Sequence, residues 1–288
     1  MQYTLKKRRL EFLRTPHDAP PSHLLMIKTA YLDESGHEGN SHVVVAGFLG
    51  DDDQWTACAQ LWKRALAPRH SLHMNKLRWQ SKQNSRRIRD LLERHGPIPY
   101  TCGLVPVFGG VNIGDYSDLL TGDVTRIINK GYMLSLYSLV PHALSALRDE
   151  DQLKIVLEAN DRYSALTPII PLICSALADS TRNPIFATPS GQPRLSGVEF
   201  TAKSALTEPA DYLAFSLLQQ LRDAKSQRAR WCMPILGSGY GFGSFLSRED
   251  ARRGILATTD GPRAKGLREM GPFLNPILAN LKKKRWQF

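Results

Sequence analysis

Two apolar, β-branched runs set close together constrain this chain most: Ile27 to Asp33 (IKTAYLD) and His42 to Leu49 (HVVVAGFL), parted by a cluster that includes SGHEGN. Each run suits a strand, and the glycines and asparagine between them suit a turn, so the pair predicts a hairpin. That commits the chain to a sheet, and the segments that follow decide which kind. Asp53 to Leu66 spaces Trp55, Ala59, Trp62 and Leu66 as an amphipathic helix, and Asn84 to His95 repeats the pattern with Ile88, Leu91 and Leu92. A basic connector, APRHSLHMNKLRWQSKQ, lies between them.

Pro99 to Phe108 (PYTCGLVPVF) reads as a third strand, with Pro106 pushing it towards a sheet edge or an early end. Asp115 to Glu150 is helical in character, with Gly131 and Pro141 as breaks or kinks. Strand patterns return at Leu153 to Glu158 and Leu195 to Thr201, and helical ones at Leu166 to Ala178 and Glu208 to Ala224. Three strands followed by alternating helices and strands predict an α/β domain over 26–224. Its mixed five-stranded sheet carries helices on both faces, with a helical insert at about 53–98 between strands two and three.

Residues 1–25 contain Pro16, Pro20 and Pro21 without a sustained period and read as an N-terminal arm. Beyond Ala224 come the glycine-rich GSGYGFGSF, read as a flexible linker, and the closing KKKRWQF, so 225–288 is expected to be a basic C-terminal extension.

With 42% hydrophobic and 23% charged residues among 288, the chain can bury a real core and is not a disordered sequence. The net charge of +11 attracts anionic partners, nucleic acid first among them, although many basic proteins bind no polyanion. Four cysteines (Cys58, Cys102, Cys174, Cys232) lie far apart with no C-x-x-C spacing, which argues against a disulfide framework and a zinc knuckle. They are expected as buried thiols. The start lacks an apolar leader segment, and no run approaches the roughly 18 apolar residues of a membrane span, so a cytoplasmic location is expected.

The candidate chemistry lies in carboxylates at element ends. Asp33 and its neighbour Glu34 close the first strand, and strand alternation lets only one of them face a given site. Glu158 closes the LKIVLE strand, and Asp211 opens the TEPADYLAF helix. Singly, each has an ordinary explanation: an acidic turn, a strand-terminal residue, an aspartate favoured by the helix dipole. Together they can converge if their strands are neighbours. Close carboxylates repel unless cations lie between them, so a cluster implies bound metal, and all-oxygen ligands suit Mg²⁺ or Mn²⁺ better than zinc. Two such ions about 4 Å apart would activate water and stabilise the leaving oxygen in phosphodiester cleavage.

The segments YLDESGH (31–37), LHMNKL (72–77) and KSALTEPADYLAF (203–215) resemble, in order and approximate spacing, the bacterial family known as domain of unknown function 3800, itself similar to ribonuclease H-like nucleases. The similarity spans roughly residues 28–224. It implies a five-stranded ribonuclease H-like sheet with carboxylates on strand one, strand four and the final helix, places matched by Asp33, Glu158 and Asp211. Glu34 is then the second acid of the first motif, and His73 matches the central histidine. The family often has glutamine two residues before the helix aspartate, where this chain has Pro209, preceded by Glu208. The further carboxylate of such sites is not singled out among Asp115, Asp118 and Asp123.

His73 is expected to ligate metal or shuttle a proton, or else to be a satisfied histidine beside a basic loop. Lys203 can hold a phosphate, neutralise a carboxylate or be solvated. Arg86 and Arg87, with Lys282, Lys283, Lys284 and Arg285 of the tail, are candidates to track a nucleic-acid backbone, with Trp79 and Trp286 as stacking faces. Ser35 lacks a nucleophile elbow and reads as a turn residue. The expected function is a metal-dependent nuclease acting on RNA or DNA. The alternatives are a catalytically silent nucleic-acid or protein-binding module, or a phosphohydrolase of small nucleotides.

Overall fold

The computed structural model describes residues 26–36, 41–77, 79, 82–115, 131–159, 186–237, 241–246 and 249. The expected arm, the helix at 166–178 and the closing basic tail lie outside the described residues.

The hairpin forms as expected: β1 (Ile27–Ser35) pairs antiparallel with β2 (His42–Gly50). After it come α1 (Asp52–Leu66), a 3-10 turn at Met74–Lys76, α2 (Lys82–His95) and α3 (Ile98–Thr101). Asp51 caps α1 through its side chain, which accepts from the Gln54 N–H, while Gln54 Oε1 accepts from the Asp51 N–H, each at 2.9 Å. Trp55, Cys58, Trp62 and Leu66 form its buried stripe. The third strand starts later than expected, as β3 (Val105–Asn112), because Pro99 sits in the first turn of α3 and Gly103, at φ +73°, ends it.

The remaining elements are α4 (Gly131–Ser145), β4 (Gln152–Glu158), β5 (Leu195–Thr201), α5 (Glu208–Asp223), α6 (Gln227–Trp231), α7 (Met233–Leu236) and β6 (Phe242–Leu246). Pro141 stays inside α4. Pro209 occupies the second position of α5, where a missing N–H removes no helical hydrogen bond.

All six strands form one mixed sheet in the order β5-β4-β1-β2-β3-β6. β1, β4 and β5 run parallel; β2 is antiparallel to β1 and to β3; β6 is parallel to β3. The expectation of five strands is corrected here. The glycine-rich stretch taken for a linker supplies β6, and its glycines allow close approach: a side chain at Gly243 would collide with the Phe108 carbonyl. β3 is therefore flanked on both sides. Pro106 is tolerated because β6 pairs only from Val107 onward.

Likewise, 224 is not where the fold ends. Cys232 and Ile235, on and beside α7, are fully buried in the same core as α5. Basic composition masked this, since the few apolar residues of the segment all turn inward.

Pleat alternation divides the sheet into two faces. Ala30, Leu32, Val45, Leu153, Ile155 and Leu157 pack under α4. Tyr31, Val44, Ala46 and Phe48 face the other way, towards α1, α2 and α5. Gly109 lets α4 come close, since a Cβ there would strike the Ser135 carbonyl. Cys58 and Cys232 are buried and Cys102 is half-buried, all as free thiols. Among the described residues, no helix is long and apolar enough to cross a membrane.

Candidate active site

Three parallel strands end at the same edge of a sheet, and here the edge carries acids. The ladder pairs Leu32 with Leu157, so the next residues, Asp33 and Glu158, are neighbours; Glu158 in turn pairs with Thr201. Leu32 and Leu157 point to the α4 face, so Asp33 and Glu158 share the opposite face, the one covered by α5. Two residues past β5 stands Lys203, and α5 begins five residues later, with Asp211 in its first turn. Far-separated positions thus meet at the carboxyl ends of the strands, where open α/β sheets bind ligands.

Lys203 is the centre of the cluster. Its ammonium lies 2.7 Å from Asp211 Oδ2, and 3.4 and 3.3 Å from Glu158 Oε1 and Oε2. Glu158 Oε2 is buried and out of line for that hydrogen bond, and accepts none. Asp211, only 4% exposed, also accepts from the Met74 N–H at 3.2 Å and pairs with His73 Nδ1 at 2.9 Å. Burial pushes the Asp211 carboxyl up, but the His73 bond and the Lys203 charge overcome it, and the net shift is downward. An ionised carboxylate can only accept, so His73 Nδ1 donates; a neutral ring then keeps Nε2 as an acceptor, on a side chain 30% exposed.

Asp33 behaves oppositely. It is 8% exposed, and burial first, then the charges of Glu34, Asp211 and Glu158, raise its carboxyl well above the usual range, with Lys203 opposing weakly. Its Oδ1 accepts from the Glu34 N–H at 2.8 Å. Three carboxylates, Asp33, Glu158 and Asp211, face one ammonium, so full ionisation leaves two negative charges uncompensated.

That balance, the unpartnered Glu158 oxygen and the all-oxygen donor set fit a divalent cation of the Mg²⁺ or Mn²⁺ kind. Among the described residues, however, no group of three or more His, Cys, Asp or Glu side chains is gathered as a ready metal cage. Lys203 stands among the acids instead.

The other expected site residues are placed as follows. Glu34 follows the pleat to the α4 side, so it acts on Asp33 through charge and is not aimed with it. Lys203, taken as a possible phosphate holder, is engaged by carboxylates, because burial leaves them no nearer cation. Trp79 does not present a free stacking face. Its ring lies 5.4 Å from Phe215 and 6.4 Å from Trp231, nearly parallel to both, and its N–H donates to the Met74 carbonyl at 3.2 Å. Arg86 and Arg87 are exposed on α2. Asp118, Asp123, Lys282, Lys283, Lys284, Arg285 and Trp286 lie outside the described residues, as does the Asp115 side chain.

One further buried carboxyl escaped the sequence reading. Glu208, 3% exposed and one turn before Asp211, accepts from the Trp62 indole N–H at 2.7 Å. Burial raises its carboxyl, with the Trp62 bond opposing. Its i, i+3 spacing to Asp211 was the available signal, but an acid at a helix start reads as a dipole partner.

The chain matches no family model, no curated protein and no solved structure.

Proposed function

We propose that the protein is a divalent-metal-dependent nuclease of ribonuclease H-like architecture, related to the family of domain of unknown function 3800. The observation that carries this reading is the meeting of Asp33, Glu158 and Asp211 on one face, at the shared end of three parallel strands. The strand order β5-β4-β1-β2-β3, with β2 antiparallel to its neighbours, supports the architectural part.

Asp33, Glu158 and Asp211 would hold Mg²⁺ or Mn²⁺. A bound divalent ion supplies charge that stabilises the attacking and leaving oxygens of a phosphodiester. Asp211 is kept ionised by His73, Lys203 and the Met74 N–H, so it needs no deprotonation to serve as a ligand. His73 holds Asp211 through Nδ1 and has Nε2 left to accept a proton near the reacting phosphate. Lys203 neutralises the acids until a stronger cation takes its place, and its ammonium is then available to a phosphate oxygen.

Lys203 also favours a second reading, a silent binding module whose acids are satisfied by their own lysine. Purified protein incubated with Mn²⁺ or Mg²⁺ and labelled single- and double-stranded RNA and DNA decides between them. Cleavage is expected, with Asp211→Asn and Asp33→Asn each losing at least about a hundredfold in rate, roughly 2.7 kcal/mol of barrier, while remaining folded by circular dichroism. If no nucleic acid of any form is cut, and calorimetry finds no metal binding, the nuclease reading fails.

A further inference from the structure

Away from the acids, α2 and α6 enclose two adjoining depressions of about 470 and 350 Å³, both walled by Arg89, Glu93, Gln227 and Trp231. Arg86 lines the larger and Arg230 the smaller, and both are exposed. The two helices carry seven basic residues against two acids, although they come from segments more than a hundred positions apart. Arg89 is tied to Glu93 at 2.7 Å, but with 60% and 47% of the two side chains exposed this is a weak surface pair that a phosphate can displace.

The cleft has an aromatic wall that leads to the acid cluster. Trp231 lies along Trp79, and Trp79 along Phe215, one turn after Asp211 on α5. The Trp79 indole bonds the Met74 carbonyl, and the Met74 N–H bonds Asp211. Arg228 sits 5.7 Å over the Trp79 ring. Contacts therefore run unbroken, on one face, from the cleft to the carboxylates.

Resting on the nuclease reading, we infer that this cleft seats a single nucleic-acid strand bound for the acid cluster, Arg86, Arg89 and Arg230 meeting its phosphates and Trp231 stacking on a base. Guanidinium groups from two helices suit successive phosphates of one backbone. An indole recessed between them meets a base face only when the base is unpaired, which excludes a duplex.

The test uses the full chain with a chelator to stop cleavage, and fluorescence anisotropy of labelled RNA and DNA strands of about 15 nucleotides, a length within known single-strand site sizes. Replacing Arg86, Arg89 and Arg230 together by alanine is expected to weaken binding on the order of tenfold or more. The same change should lower the slope of log affinity against log salt by about 3, one per lost phosphate contact. Trp231→Leu should weaken binding about fivefold or more with the slope unchanged. Mn²⁺ affinity, read by calorimetry, should not move in either variant.

Wild-type affinity in the triple variant overturns the inference. So does equal binding of a duplex, or displacement of the strand by a polyglutamate peptide of equal charge. Binding without cleavage by the wild type would remove the nuclease reading and leave the cleft standing. Cleavage by the wild type alongside unaltered binding in the triple variant would do the reverse.

Discussion

The two faces of the sheet solve the same packing problem with different chemistry. Under α4 the interface is almost wholly apolar, and its one deeply buried hydroxyl, Ser135, donates to the carbonyls of Val43 and Gly131. Under α5 the apolar core is equally well filled, yet its edge admits Asp33, Glu158, Glu208 and Asp211 with a single lysine among them. A face that only had to be stable would exclude so much charge, because burying ions costs more than packed hydrocarbon of equal volume. The contrast marks one face as structural and the other as the place where stability has been given up for chemistry.

Breaking the dry face gives the largest expected effect. Leu139→Ala, deep in α4 against the sheet, should cost about 2–5 kcal/mol in urea or thermal unfolding through lost burial and the cavity left behind. Added Mn²⁺ should not restore it. Lys203→Met strikes the wet face and should cost about 1–3 kcal/mol, the penalty for stranding buried acceptors. Here Mn²⁺ should restore the melting temperature, and raise it by more than in the wild type, since a divalent cation substitutes for the lost ammonium. If metal rescues both variants or neither, the division between the faces is wrong.

The smallest effect is a pH dependence. The Glu208 carboxyl is raised in the fold, so its stabilising contribution is full below the ordinary carboxylate range and is lost as pH rises through the raised value. Glu208→Gln keeps an acceptor for Trp62 and should flatten the decline of stability on that side. Asp33 acts in the same direction in metal-free protein. Asp211, shifted down, acts in the other, its contribution lost only as pH falls below the usual carboxylate range. A chelated sample whose variant and wild-type stability curves run parallel from pH 4 to 8 would show that Glu208 carries no such burden.

Asp33, Glu158 and Asp211 were legible because each marks the end of a strand or the start of a helix, and parallel strands bring such ends together whatever their sequence separation. Periodicity likewise carried β1, β2, β4, β5, α1, α2 and α5, whose stripes are long enough to exceed noise. What stayed hidden depended on partners. β6 has glycine where a strand usually has a side chain, and only the approach of Phe108 explains why. Lys203 could be solvated, phosphate-bound or paired until its neighbours were known. Trp79 looked like an open platform, yet Phe215 and Trp231, both remote in sequence, take up its faces. Glu208 carries no local sign of the indole that holds it.

The parallel pairing of β6 with β3 has a practical corollary. A version of the chain shortened at 224 would keep every acid of the cluster but unzip one rim of the sheet, leaving the outward amides and carbonyls of β3 bare. Exposed strand edges recruit other strands, so such a fragment would be apt to precipitate. The basic end of the molecule is thus also its hem.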